Sequence, residues 1–351
     1  MTKQICLSAL LCSSLWGFAA CGDDDDDDDA VSGDYEKTAT LDVKKYVDGE
    51  LQNLYDASLA LQKAAPDPDA DGWNAKDDKP AVDAMKAAWA DARDAYERVE
   101  GSIALLFRDL DKSTDERYDG FLNDDGPDDN LFDGEGVTGV HAIERILWAD
   151  SHPERVLEFE KTVPGYTTAA FPSNDEEAWA FKHELVGRLV TDTKSMKDDY
   201  ATYALDPSAA FWGIIGSMAE QSEKTTLGAS GEDESRYAQR TLADMRANLQ
   251  GANAVFKAFR AWVVSSNGAA TATEIQAGLD NIGDAYAEVK SDALPEVPDG
   301  FNPDSPTDEE LESPYGKLWA LLNAETDANS KDSLINKMAA AADGMGIPEF
   351  E

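Results

Sequence analysis

Apolar residues recur at Val82, Met85, Trp89, Ala92, Tyr96, Val99, Ile103 and Leu106, alternating three and four positions apart without a miss. That spacing keeps one face apolar and predicts a helix packed against other helices. Val43, Val47, Leu51, Leu54 and Leu61 form a similar stripe upstream. Further helical stretches are predicted over 137–162, 175–203, 207–224, 234–265, 271–291 and 314–344. No sustained alternation of the strand type occurs, so the expected fold class is all-α, built as two bundles. The boundary is expected near 164–172, giving a first bundle at about 37–165 and a second at about 172–350. Residues 294–314 hold five prolines and many acids and read as a long loop.

The front of the chain follows another pattern. One lysine, Lys3, precedes an apolar run over 5–20 that is too short to span a bilayer and ends in small residues, the build of a secretory signal. Its end, Phe18-Ala19-Ala20-Cys21-Gly22, resembles the bacterial lipoprotein box, with Phe18 where that box usually has Leu. Residues 1–20 are therefore expected to be a lipoprotein signal peptide and Cys21 the lipidated residue. Cys6, Cys12 and Cys21 are the chain's three cysteines, so the processed chain could form no internal disulfide. Seven aspartates follow at 23–29; like charges repel and keep a segment extended, so 21–36 reads as a tether. The expected location is the cell envelope, at the periplasm or the cell surface, with the membrane a partner through the lipid alone.

Charge narrows the function. There are 30 Lys and Arg against 71 Asp and Glu, a net charge of −41, which argues against nucleic acid and favours cations as partners. At 42% hydrophobic residues the chain is too apolar for a disordered acidic protein. No run of about 20 apolar residues is present, and the glycine-rich nucleotide signatures are absent.

Gly139-Val140-His141-Ala142-Ile143-Glu144 places His141 and Glu144 three apart on one helical face. The pair could share a cation, or make only a helical hydrogen bond. Arg93, Glu97 and Glu100 lie along the edge of the apolar seam, as salt-bridge partners or as inward ligands. Together Glu97, Glu100, His141 and Glu144 would supply one nitrogen and three oxygens, a shell suited to iron or zinc. Asp67, Asp69, Asp71 and Asp78, with Gly72 at the sixth position, follow the spacing of a calcium loop, against the plainer reading of a solvated acidic turn. His183-Glu184 fails as a zincin because Gly187 stands where the second histidine would be, and His152 reads as an exposed turn residue.

Several segments in order resemble the imelysin-like family, and within it the EfeO-type iron-uptake proteins. They are Trp89 through Glu100 (WADARDAYERVE), Phe107 through Asp111 (FRDLD), Asp115-Glu116-Arg117, Gly139 through Glu144 (GVHAIE), Gly231 through Tyr237 (GEDESRY), and Asp244 through Ala252 (DMRANLQGA). The likeness covers nearly all of residues 40–350. It implies two four-helix bundles arranged as a repeat. It also implies a metal site on His141 and Glu144 with an acid from the YERIE-like helix, for which Glu97 and Glu100 are the matching positions. The family's Ser-His-Thr-Asp in the second half is Ala238, Gln239, Arg240 and Thr241 here, so a ligand from that segment is not carried over. The function implied is a non-enzymatic, metal-binding lipoprotein serving iron or cation acquisition with a transport partner. The alternative is a metallopeptidase, since imelysin itself was classed as one.

Overall fold

The apolar seam does not form one helix to its end. In the computed structural model, which describes residues 28–74 and 77–350, the seam helix stops at Glu97 and restarts as a short helix at Glu100. The helices are α1 (Asp28–Ala64), α2 (Lys79–Glu97), α3 (Glu100–Ile103), α4 (Arg108–Asp115), α5 (Tyr118–Asp124), α6 (Gly139–Leu147) and α7 (Glu154–Glu160). Then come α8 (Asp175–Ala180), joined through a π-helical turn (Phe181–Leu185) to α9 (Val186–Thr202), α10 (Pro207–Leu227), α11 (Thr241–Asn267) and α12 (Ala269–Glu288). The last are α13 (Asp308–Glu312), α14 (Pro314–Glu325) and α15 (Leu334–Met345). No strand occurs among the described residues, and the fold is all-α.

Local sequence explains several of the ends. Pro80 sits in the first turn of α2, where its missing N–H is not needed. The Asp206 side chain caps α10 by accepting from the Ser208 N–H, with Pro207 following. Thr307 and Glu310 close a reciprocal capping box on α13. The predicted 137–162 helix is interrupted at Pro153, whose preceding residue is pushed out of the helical region. The predicted 234–265 helix begins only at Thr241, so 230–240 is a connection rather than a helical turn. Residues 1–27, where the signal peptide, Cys21 and the start of the tether are expected, lie outside the described part. α1 already starts at Asp28, so the end of the stretch read as an extended tether is helical.

Two apolar cores form, and the line between them runs across the long helices. One takes Val43, Val47, Leu51 and Leu54 from α1, Tyr96 from α2, Met196 and Tyr200 from α9, and faces of α10, α11, α12, α14 and α15. The other takes Leu61 from α1, Met85 and Trp89 from α2, Val140, Ile143 and Leu147 from α6, and Phe181, Leu185 and Leu189. α1, α2 and the α8–α9 rod thus serve both, and the cores do not divide at 164–172. On α2 the change falls between Trp89 and Ala92. The next polar residues, Arg93 and Glu97, are 0% and 1% exposed. Burying such charges without partners would cost several kcal/mol each, so the junction must hold their counter-charges.

Candidate metal centre

His141 enters this junction on the first turn of α6. Gly139, at φ +82°, turns the chain into α6, and a Cβ there would stand 2.1 Å from the Thr114 carbonyl oxygen. Only glycine allows that conformation and that approach. Thr138 Oγ1 donates to the Ser113 carbonyl at 2.9 Å, and Trp89 Nε1 donates to the Val140 carbonyl at 2.8 Å. α6 is thereby fixed to the end of α4, which carries Asp115, and to α2. The third contributor is the 230–240 connection. It is held by Tyr237 and Ala238, whose N–H groups donate to Glu144 Oε1 at 3.0 and 2.8 Å.

Glu144 therefore does two jobs. One oxygen takes the two backbone N–H groups, and the other lies 3.2 Å from His141 Nδ1. A carboxylate on Nδ1 orients the ring and leaves Nε2 as the group that faces inward. His141 Nε2 is buried without a hydrogen-bond partner. It stands 3.3 Å from Asp115 Oδ1 and 3.6 Å from Glu234 Oε1. The three ligand atoms lie within 4.8 Å of one another, the one such group of His, Cys, Asp or Glu among the described residues. Iron or zinc bonds of about 2.0–2.2 Å to nitrogen and carboxylate oxygen bring ligand atoms to separations of this order, so the donor set fits such an ion.

Strong fields act here. Burial and Arg93 lower the His141 pKa, but the Asp115, Glu144 and Glu234 carboxylates prevail and raise it to about 10. Burial raises Asp115 and Glu234, yet the cations around them hold both below the ordinary carboxylate range: Arg93 and His141 for Asp115, and Lys224, Arg93 and His141 for Glu234. Burial raises Asp244 to about 6 despite Arg93. A pocket of about 350 Å³ opens over Asp115 and Glu234, walled by Glu100, Glu116, Glu220 and Glu223, with Arg117 and Lys224 among them. Another cavity, about 650 Å³, lies elsewhere, between α12 and α14.

Of the residues singled out from sequence, the structure brings His141 and Glu144 together. Glu97 and Glu100 face other partners. Glu97 pairs with Arg93 and, at 3.2 Å, with Lys224. Glu100 lies 3.2 Å from Lys224, and Asn248 Nδ2 donates to Glu97 Oε2 at 2.6 Å and to Glu100 Oε2 at 2.8 Å. Asp115 and Glu234 escaped sequence reasoning as ligands, although both lie in segments that resemble the family. In the acidic turn, Asp67 pairs with Lys182 at 2.9 Å, Asp69 accepts from the Asp71 N–H, and Asp78 accepts from the Asn74 N–H. Those carboxylates do not gather into one ligand group among the described residues. His152 is half-buried rather than exposed: its Nε2 lies 2.8 Å from the Arg145 carbonyl and its ring packs on Tyr237. His183 packs on the exposed Trp179.

Comparison with known proteins agrees with this architecture. A family model described as Imelysin matches residues 49–324. The iron uptake system component EfeM of Bacillus subtilis is 25% identical over 186 residues, 53% of this chain and 38% of that protein. The iron uptake system component EfeO of Yersinia pestis is 27% identical over 187 residues, 51% of this chain and 40% of that protein. An EfeM/EfeO family lipoprotein of Staphylococcus haemolyticus is 25% identical over 222 residues, 63% of this chain and 60% of that one. The aligned part thus spans about two fifths of the first two relatives. The crystal structure of an imelysin-like protein from Psychrobacter arcticum 273-4 superposes with a TM-score of 0.51 at 14% identity, covering 92% of this chain and 95% of that one, a likeness of fold.

Proposed function

The chain belongs to the imelysin family, and from that premise we propose that it binds iron as cargo for an iron-uptake system of the cell envelope. Asp115, His141 and Glu234 are the ligands and Glu144 orients His141. The observation that carries this reading is the buried His141 Nε2, which makes no well-formed hydrogen bond and faces two carboxylates beneath an acid-walled pocket. Such walls raise the local concentration of cations and repel anions. Three protein ligands leave positions on the ion for water or a receiving group, which suits a cargo that must be handed on. The names of the EfeM and EfeO relatives support iron as that cargo. Glu97 and Glu100 stand one layer out, holding Lys224.

Anaerobic titration with iron(II) tests the reading through its pH dependence. With His141 raised to about 10 in the ion-free protein, the imidazole is protonated across the neutral range, and an ion must displace that proton. Affinity should therefore rise roughly tenfold per pH unit between about pH 6 and 7.5 as one proton is released. Calorimetry in buffers of different ionisation enthalpy counts that proton, and binding without proton release would count against His141 as a ligand.

The lipid anchor is proposed on the Phe18–Cys21 box and on the naming of the Staphylococcus relative as a lipoprotein. Cys21→Ser should move the protein from the membrane to the soluble fraction. Unchanged membrane recovery and mobility of that variant would remove the anchor from the account.

A further inference from the structure

The two carboxylate oxygens nearest His141 Nε2 are also the two that Arg93 grips. Arg93 Nη1 pairs with Asp115 Oδ1, and Nη2 lies 3.0 Å from Glu234 Oε1. The guanidinium is fully buried, lies over the Tyr96 ring, and makes its remaining ion pairs with carboxylates too. Nη2 pairs with Glu97 Oε1, and Nε lies 3.6 Å from Asp244 Oδ2. Arg93 Nε, Glu97 Oε1 and both Asp244 oxygens make no hydrogen bond of good geometry. A planar fork serving four carboxylates therefore has two partners that are ligand atoms and two that are not.

We propose that Arg93 sets how tightly and how long the site holds its ion, by acting as an internal counter-ion that shares Asp115 and Glu234 with the metal. This rests on the iron-binding reading above. Without an ion, four acids in a buried junction repel one another, and the guanidinium holds the two ligand carboxylates in place before the ion arrives. With an ion bound, Arg93 is a like charge pressed against it. Asp244, whose two oxygens make no hydrogen bond of good geometry, gives the guanidinium somewhere to lean as it yields Asp115 and Glu234. The repulsion that remains keeps the bound state from becoming a trap, which a protein that passes its cargo on requires.

Iron(II) titrations and stopped-flow release under anaerobic conditions test this on the wild type, Arg93→Gln and Arg93→Lys. Arg93→Gln should lower the melting temperature of the ion-free protein, yet bind iron at least about tenfold tighter, worth about 1.4 kcal/mol, through slower release. Arg93→Lys keeps the charge but loses the fork, so its affinity should fall between those of the wild type and Arg93→Gln. Asp244→Asn removes the fallback and should weaken binding, but not in the Arg93→Gln background. A folded Arg93→Gln variant with equal or weaker affinity would overturn the proposal. Should that variant not fold, unchanged affinity in Asp244→Asn would overturn it instead. Failure of the wild type to bind iron would strike the underlying reading and is seen before any variant is compared.

Discussion

His141→Ala is expected to weaken iron binding at least about a hundredfold, about 2.7 kcal/mol, while the helices remain folded. The side chain supplies the single nitrogen of the Asp115, His141 and Glu234 group, and alanine offers nothing in its place. The substitution leaves Glu144 without its imidazole partner. Its other oxygen still accepts from Tyr237 and Ala238, so the loss of stability should stay near 1–3 kcal/mol. Asp115→Asn and Glu234→Gln should also reduce affinity strongly. Glu144→Ala should cost about 10- to 100-fold, as loss of the group that orients a ligand does. Glu100→Gln, whose carboxylate faces Lys224 and Asn248, should change affinity by less than roughly fivefold, the effect of a charge one layer away. Parallel calorimetric titrations rank the five. Loss of binding in Glu100→Gln with retention in Glu234→Gln would move the ion to the other carboxylate pair.

Glu160→Ala is expected to be the most damaging of these changes to stability. Glu160 is 0% exposed and Arg145 2% exposed, with Arg145 Nη2 3.2 Å from Glu160 Oε2. The Tyr237 hydroxyl donates to the other oxygen of the same carboxylate. Removing it leaves a buried guanidinium with no carboxylate, held by the Thr167 carbonyl and the faces of Tyr118 and Tyr166. Breaking one side of such a buried pair costs about 3–5 kcal/mol, a large part of the 5–15 kcal/mol typical of a folded protein. For a chain of this size the melting temperature should drop by roughly 5–12 °C. Glu160→Gln, which keeps an acceptor for Tyr237, should lose less. Thermal unfolding of both variants checks this, and a loss below about 1 kcal/mol in the alanine variant would show that water replaces the carboxylate.

Much of the fold was legible because apolar periodicity reports helices that face a core. The stripes at Val43–Leu61 and Val82–Tyr96 lie where α1 and α2 bury them. The same signal misread 234–240 as helix, since Asp233, Glu234 and Arg236 are buried as ion-pair partners of Arg155, Arg93 and Asp119. In a sequence, a buried charge looks like a solvated one. That ambiguity also hid the path of α2, which leaves one apolar core and enters the other just where Arg93 begins the charged junction.

The centre was legible in halves. His141 and Glu144 meet through helical spacing, which the sequence states directly. Asp115 and Glu234 reach His141 only because Gly139 lets α6 touch the end of α4, and because Glu144 clamps the 230–240 connection through its backbone. No spacing rule contains those contacts. Glu97 and Glu100 do lie beside the seam, but Lys224 and Asn248, far along the chain, take up their carboxylates.

Crystals grown with iron and measured on both sides of the iron absorption edge test the central claim most directly. The account predicts an anomalous difference peak within bonding distance of His141 Nε2, Asp115 Oδ1 and Glu234 Oε1, lost in His141→Ala crystals. A peak between Glu97 and Glu100, or density at His141 that persists in the alanine variant, would contradict it.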